Sequence, residues 1–118
     1  MLFLGRQYHE LIRQAIQPLA EFLGTSSADL IFVPNATYGV NLVARSLKLH
    51  PMDEILTSDH EYGACDYTWE FICSKNGTCY IRQPLPYPAV SDEEMLELIW
   101  QGVTNRTKLI FLSHITSP

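Results

Sequence analysis

Asn35-Ala36-Thr37-Tyr38-Gly39-Val40-Asn41 stands where the apolar run Leu30-Ile31-Phe32-Val33 gives way to the amphipathic stretch Val40 to Leu47. A strand that feeds a helix through a small polar turn leaves the first helical N–H groups unpaired, and the helix dipole adds partial positive charge at the same place. Phosphate is the natural occupant of such a junction. Ala36 leaves room for close backbone approach, Thr37 offers a hydroxyl beside the amides, and Gly39 keeps the first turn uncrowded. An ordinary Thr-capped helix, whose cap satisfies only its own backbone, is equally consistent with these residues.

Outward from this junction, the pattern alternates. Leu11, Ile12, Ala15, Ile16, Leu19, Ala20 and Leu23 recur at helical spacing, with Gly24 closing the element. Pro18 falls inside that stretch, so either the helix kinks there or a second helix begins. Leu30 to Val33 has the length and composition of a strand buried on both faces, ended by Pro34. A helix from about Thr37 to Lys48 follows, then a turn at His50-Pro51-Met52-Asp53 and a strand at Glu54 to Thr57. Tyr62 to Ser74 reads as a helix stopped by Asn76-Gly77, and Cys79 to Arg82 as the next strand. Pro84, Pro86 and Pro88 make an extended connection. Ser91 with Glu94 forms a capping box that opens a helix through Trp100, and Lys108 to Leu112 is a fourth strand.

Four strand and helix alternations call for an α/β fold whose sheet is mainly parallel. Ligands in such sheets gather at the strand C-termini. Three of the four ends carry unusual residues: Asn35-Ala36-Thr37, Ser58 to Tyr62, and Ser113 to Ser117.

Composition narrows the class. The 118 residues match one small domain or part of a larger one, burying about two thirds of the unfolded surface. A hydrophobic share of 47% and a charged share of 18% suit a globular protein. The net charge of −5 argues against nucleic acid or an anionic membrane as partner. No apolar run reaches the roughly 18 residues of a membrane span, and Met1-Leu2-Phe3-Leu4-Gly5 is too short for a signal-peptide core. The expectation is a cytoplasmic protein, in which the sequons at Asn35, Asn76 and Asn105 carry no weight. Cys65, Cys73 and Cys79 lack the spacing of a metal or redox motif and are expected as free thiols, with no metal site.

The chain resembles the class V group of pyridoxal-phosphate-dependent enzymes, aminotransferase-like proteins of fold type I, from about Tyr8 to Pro118. The resemblance rests on Phe32 to Asn41, on Asp53 to Ala64, and on Leu112-Ser113-His114-Ile115-Thr116-Ser117. Asp59-His60-Glu61-Tyr62-Gly63-Ala64 is most similar to the isopenicillin-N-epimerase-like branch; cysteine desulfurases, more distant, carry His where this chain has Tyr62. The resemblance implies that Ala36 and Thr37 hold the cofactor phosphate and that Tyr62 stacks on the pyridine ring. It places Ser117 near the phenolic oxygen, where desulfurases use Asn. From its chemistry alone, Tyr62 reads rather as a first-turn aromatic packed into the core.

Pyridoxal phosphate works through a Schiff-base lysine and an acidic partner for its ring nitrogen. In the family both lie downstream of the Ser-His-x-Thr-Ser segment. Lys48, Lys75 and Lys108 are late in a helix, late in another helix and at the start of a strand, so none is placed at the cofactor edge. The expectation is therefore a partial large domain over 1–118, truncated at both ends and without catalytic residues of its own. Its parent would be a homodimer acting on a small amino-acid substrate. Two other readings stay open: a non-enzymatic module for a phosphate-bearing ligand, against which no Gly-x-Gly-x-x-Gly or Walker loop is present, and a cysteine desulfurase or lyase, whose nucleophile Cys65, Cys73 and Cys79 do not match.

His60 reads as a surface or structural residue, with a proton-carrying role open to it, and His114 as hydrogen-bonded within the sheet edge. The family commonly has Gly where this chain has Met52, which points to an altered turn there.

Overall fold

A computed structural model describes residues 3–116, and the chain divides into two compact units, Met1–Pro34 and Asn35–Pro118.

In the first unit, a π-helical turn at Phe3–Gln7 leads into α1, Tyr8–Leu23, which runs through Pro18 as one helix. Gly24 ends it in the left-handed conformation (φ 66°), with its N–H donating to the Ala20 and Glu21 carbonyls. After a short 3-10 turn at Ser27–Asp29, residues 30–33 form no strand. Their apolar run meets the compositional requirement, but a strand also needs a neighbour for its backbone groups, and none pairs with it among the described residues. Ile31 and Phe32 stay exposed.

The second unit is a three-stranded parallel sheet flanked by helices. Its elements are α2 (Ala36–Ser46), β1 (Glu54–Ser58), α3 (Gly63–Asn76), β2 (Cys79–Gln83), α4 (Asp92–Gln101) and β3 (Thr107–Phe111). The strand order is β2-β1-β3, with Ile55 opposite Tyr80 on one side and Leu109 on the other. As the central strand, β1 is buried along its whole length. Ile55 packs with Ala44, Trp69, Ile72 and Cys73 from α2 and α3. On the next residue, Leu56 meets Gly102 at the end of α4, where an added Cβ would stand 2.7 Å from the Leu56 side chain. Successive side chains of β1 thus serve the two helical layers alternately.

Local signals place the helix ends. Ser91 Oγ accepts from the Glu94 N–H at 3.2 Å and opens α4. Gly77, at φ 69°, closes α3. Met52 departs from expectation: the turn before β1 keeps the left-handed conformation that suits glycine, with Met52 itself at φ 74°. The thiols of Cys65, Cys73 and Cys79 are free, and burial pushes those of Cys65 and Cys73 up.

Candidate cofactor site

α2 begins with Asn35, not Thr37, as its cap. The Asn35 side chain accepts from the Tyr38 N–H at 2.8 Å, and its carbonyl receives the Gly39 N–H at 3.2 Å. Those two bonds take up the third and fourth amides of the first turn. The amides of Ala36 and Thr37 have no acceptor among the described residues, and the half-buried Thr37 makes no hydroxyl hydrogen bond there. Two N–H donors and one hydroxyl are therefore left at a helix terminus whose dipole favours negative charge.

The second half of the site comes from the β1-to-α3 turn. Tyr62 is the N-cap of α3; its carbonyl accepts from the Cys65 N–H at 2.8 Å and the Asp66 N–H at 3.1 Å, while its side chain caps nothing and is half exposed. Backbone and ring thus have separate duties. The backbone starts the helix, and the half-exposed ring takes no part in capping it.

Helix packing brings these halves to one edge. Asn41 Nδ2 donates to the Thr37 carbonyl and to Thr68 Oγ1, both at 3.0 Å. Further along, the Arg45 guanidinium lies over the Phe71 ring at 5.9 Å, and Leu47 shares a cleft with Asn76. Successive residues of α2 meet successive residues of α3 in the same order, so the helices run side by side in one direction. Carried up the pair, this register sets the start of α2 beside the start of α3, at the edge where β1 ends. Lys48 follows the end of α2, Lys75 is in the last turn of α3 and Lys108 is near the start of β3, which sets all three at the opposite edge.

One residue the sequence reading passed over organises this edge. Glu61, only 9% exposed, accepts from Ser58 Oγ at 2.8 Å, from the Ser113 N–H at 3.1 Å and from Ser113 Oγ at 2.6 Å. It bridges the exits of β1 and β3. A cleft lined by Leu85, Tyr87, Met95, Ile99 and Leu112 runs up to it on the α4 side. Only its place between His60 and Tyr62 marked it in the sequence, because its partners Ser58 and Ser113 are brought together by strand pairing.

The two histidines differ. His60 is partly buried, with its ring edge-on to Tyr87 at 6.1 Å and Nε2 3.5 Å from Asp59 Oδ1, which is a structural placement. His114 is exposed and makes no side-chain hydrogen bond among the described residues, contrary to the expected sheet-edge bond, because β3 ends at Phe111 and the chain has left the sheet by His114. Ser117 lies outside the described residues. No helix among them is long and apolar enough to cross a membrane.

Comparison with known proteins follows the same lines. The aminotransferase class-V family profile matches residues 2–117. Isopenicillin N epimerase of Amycolatopsis lactamdurans is 38% identical over 120 residues, covering 99% of this chain and 30% of the relative. A cysteine desulfurase of Enterobacter sp. is 29% identical over 95% of the chain and 30% of the relative. Among solved structures, a C-DES mutant with glycine covalently linked to its PLP cofactor superposes with a TM-score of 0.79 at 26% identity, over 92% of this chain and 28% of that one. The chain thus spans under a third of the length of these relatives, and its fold follows that of the C-DES structure. With the match running almost from end to end, the chain belongs to the aminotransferase class-V family.

Proposed function

We propose that this chain is the cofactor-cradling part of a pyridoxal-phosphate-dependent enzyme acting on an amino acid, of the isopenicillin N epimerase kind. One relationship supports the reading: the Asn41–Thr68 bond aligns α2 with α3, so the helix that opens with the unpaired N–H groups of Ala36 and Thr37 and the Thr37 hydroxyl runs beside the helix that Tyr62 caps. The donor set fits the group. Amides and a hydroxyl at a helix terminus suit a phosphate dianion, and an electron-rich phenol ring suits the face of an electron-poor heterocycle.

In this reading Ala36 and Thr37 hold the phosphate, Tyr62 covers the ring and Ser117 lies near the phenolic oxygen. Pyridoxal phosphate, when bound, draws electron density from the α-carbon of an amino-acid substrate. The chain's own residues bind and orient it. Because Lys48, Lys75 and Lys108 lie at the opposite edge, a covalent attachment would have to come from outside this stretch. The parent is read as a cytoplasmic homodimer. The desulfurase alternative gains nothing from Cys65 and Cys73, whose thiols are buried and held protonated.

Titration of the chain with pyridoxal phosphate, followed by fluorescence, tests this. Thr37→Val and Tyr62→Ala should each weaken binding, the latter by roughly two- to tenfold, the worth of one aromatic stack. Borohydride treatment should leave no stable adduct on one specific lysine. Binding untouched by both substitutions would refute the reading.

A further inference from the structure

We infer that Glu61 is a positioning residue that aims the Tyr62 ring at the cofactor, by clamping the exits of β1 and β3 together. The inference rests on the cofactor reading above, since it concerns how that site holds its ring.

A stacking ring must be held to within about half an ångström and some ten to twenty degrees to contribute fully. No hydrogen bond among the described residues holds the Tyr62 side chain. It caps nothing, its hydroxyl makes no hydrogen bond among the described residues, and half of it faces solvent. Its orientation is therefore set by its backbone and by its two side-chain torsions. On the helical side the backbone is fixed by the Cys65 and Asp66 amides, which bond the Tyr62 carbonyl. On the strand side the fixing falls to Glu61.

Glu61 is suited to that task. Ser58 Oγ bonds its Oε1, so the turn from Ser58 to Glu61 is closed on itself, and the same hydroxyl receives the His60 N–H at 3.3 Å. The Ser113 N–H and hydroxyl bond the carboxylate from the neighbouring strand exit. All of these donors point at an acceptor, so an ionised carboxylate satisfies them together, whereas an amide would turn an NH₂ donor toward at least one of them. The clamp thus ties the residue before Tyr62 to two strand ends whose register is set by the sheet. The phosphate donors stand apart from it, on α2, and are organised by Asn35 and by the Asn41 bond to Thr68.

This separation makes the role testable. Affinities for pyridoxal phosphate and for inorganic phosphate should be measured for the unmodified chain, Glu61→Gln, Tyr62→Ala and the double variant. Ser113→Ala, which removes one donor and keeps the carboxylate, serves as a milder perturbation. Glu61→Gln should weaken pyridoxal phosphate roughly two- to tenfold, matching the loss of a stack, and leave inorganic phosphate unchanged. The double variant should bind no more weakly than Tyr62→Ala alone, because a residue acting through the ring has nothing to add once the ring is gone. Ser113→Ala should shift affinity in the same direction by less. Multiplying effects in the double variant, a parallel loss of phosphate binding, or no change in Glu61→Gln would each overturn the positioning role. An unmodified chain that binds pyridoxal phosphate no better than phosphate would instead sink the cofactor reading, and the inference with it.

Discussion

The Met52 N–H donates to the Gly77 carbonyl at 3.0 Å, tying the turn ahead of β1 to the C-cap of α3. That bond is made with Met52 at φ 74°, where an L side chain crowds its own carbonyl at a cost of about 1–2 kcal/mol. Glycine removes the crowding and gives back about 0.5–1 kcal/mol through the freedom of the unfolded chain. The Met52 side chain is more than half exposed, so little packing is lost. Met52→Gly should therefore stabilise the second unit by about 0.5–1 kcal/mol. A higher denaturation midpoint at unchanged slope, followed through the buried Trp69, is the expected result. A lower midpoint would mean that the methionine packs better than its exposure indicates.

Acid should destabilise the sheet through Glu54. This carboxylate is buried in β1, and its pKa is held below the usual 4.5, chiefly by the Thr104 hydroxyl that donates to it and further by Arg106, with burial opposing both. The fold therefore binds the ionised form more tightly than the unfolded chain does. Its contribution is complete above the ordinary carboxylate value and drains away as pH falls through the lower, folded one. Denaturation midpoints measured across that acid range should fall, and Glu54→Gln should remove that part of the slope. Salt should weaken the half-exposed Arg106 pair more than the Thr104 bond, so the slope should survive at about 1 M salt. A pH dependence identical in Glu54→Gln would show that other carboxylates carry it.

These residues also mark how far local sequence reaches. Gly24, Gly77 and the Ser91 cap were legible because a left-handed residue or a side-chain cap is decided within four residues. Leu30 to Val33 misled for the complementary reason: an apolar run states its preference for burial and says nothing about whether a strand will lie beside it. That Tyr62 stands between the end of β1 and the start of α3 followed from the alternation of elements, which dictates where helices begin relative to a parallel sheet. Glu61 did not follow, since its bonds to Ser58 and Ser113 depend on β1 and β3 being neighbours, and the strand order β2-β1-β3 is not written in any one segment. At Met52 a family habit suggested a changed turn, yet the hydrogen bond to Gly77 kept the turn and left the strain on the side chain.

Asn35 separates capping from ligand binding at the head of α2. Its Oδ1 takes the Tyr38 N–H, while the Ala36 and Thr37 amides stay unpaired. Asn35→Ala should cost about 1 kcal/mol of stability, the usual worth of an N-cap. It adds a free donor to the same turn and removes none, so affinity for pyridoxal phosphate should hold or rise. Thr37→Val should do the reverse, weakening the ligand with little effect on the midpoint, because the Thr37 hydroxyl bonds nothing in the described fold. The two variants, compared by denaturation and by ligand titration, form a crossed test. Were Asn35→Ala to lower affinity as much as Thr37→Val does, the phosphate donors would have to include the Asn35 side chain, and the division of the first turn into cap and cradle would be wrong.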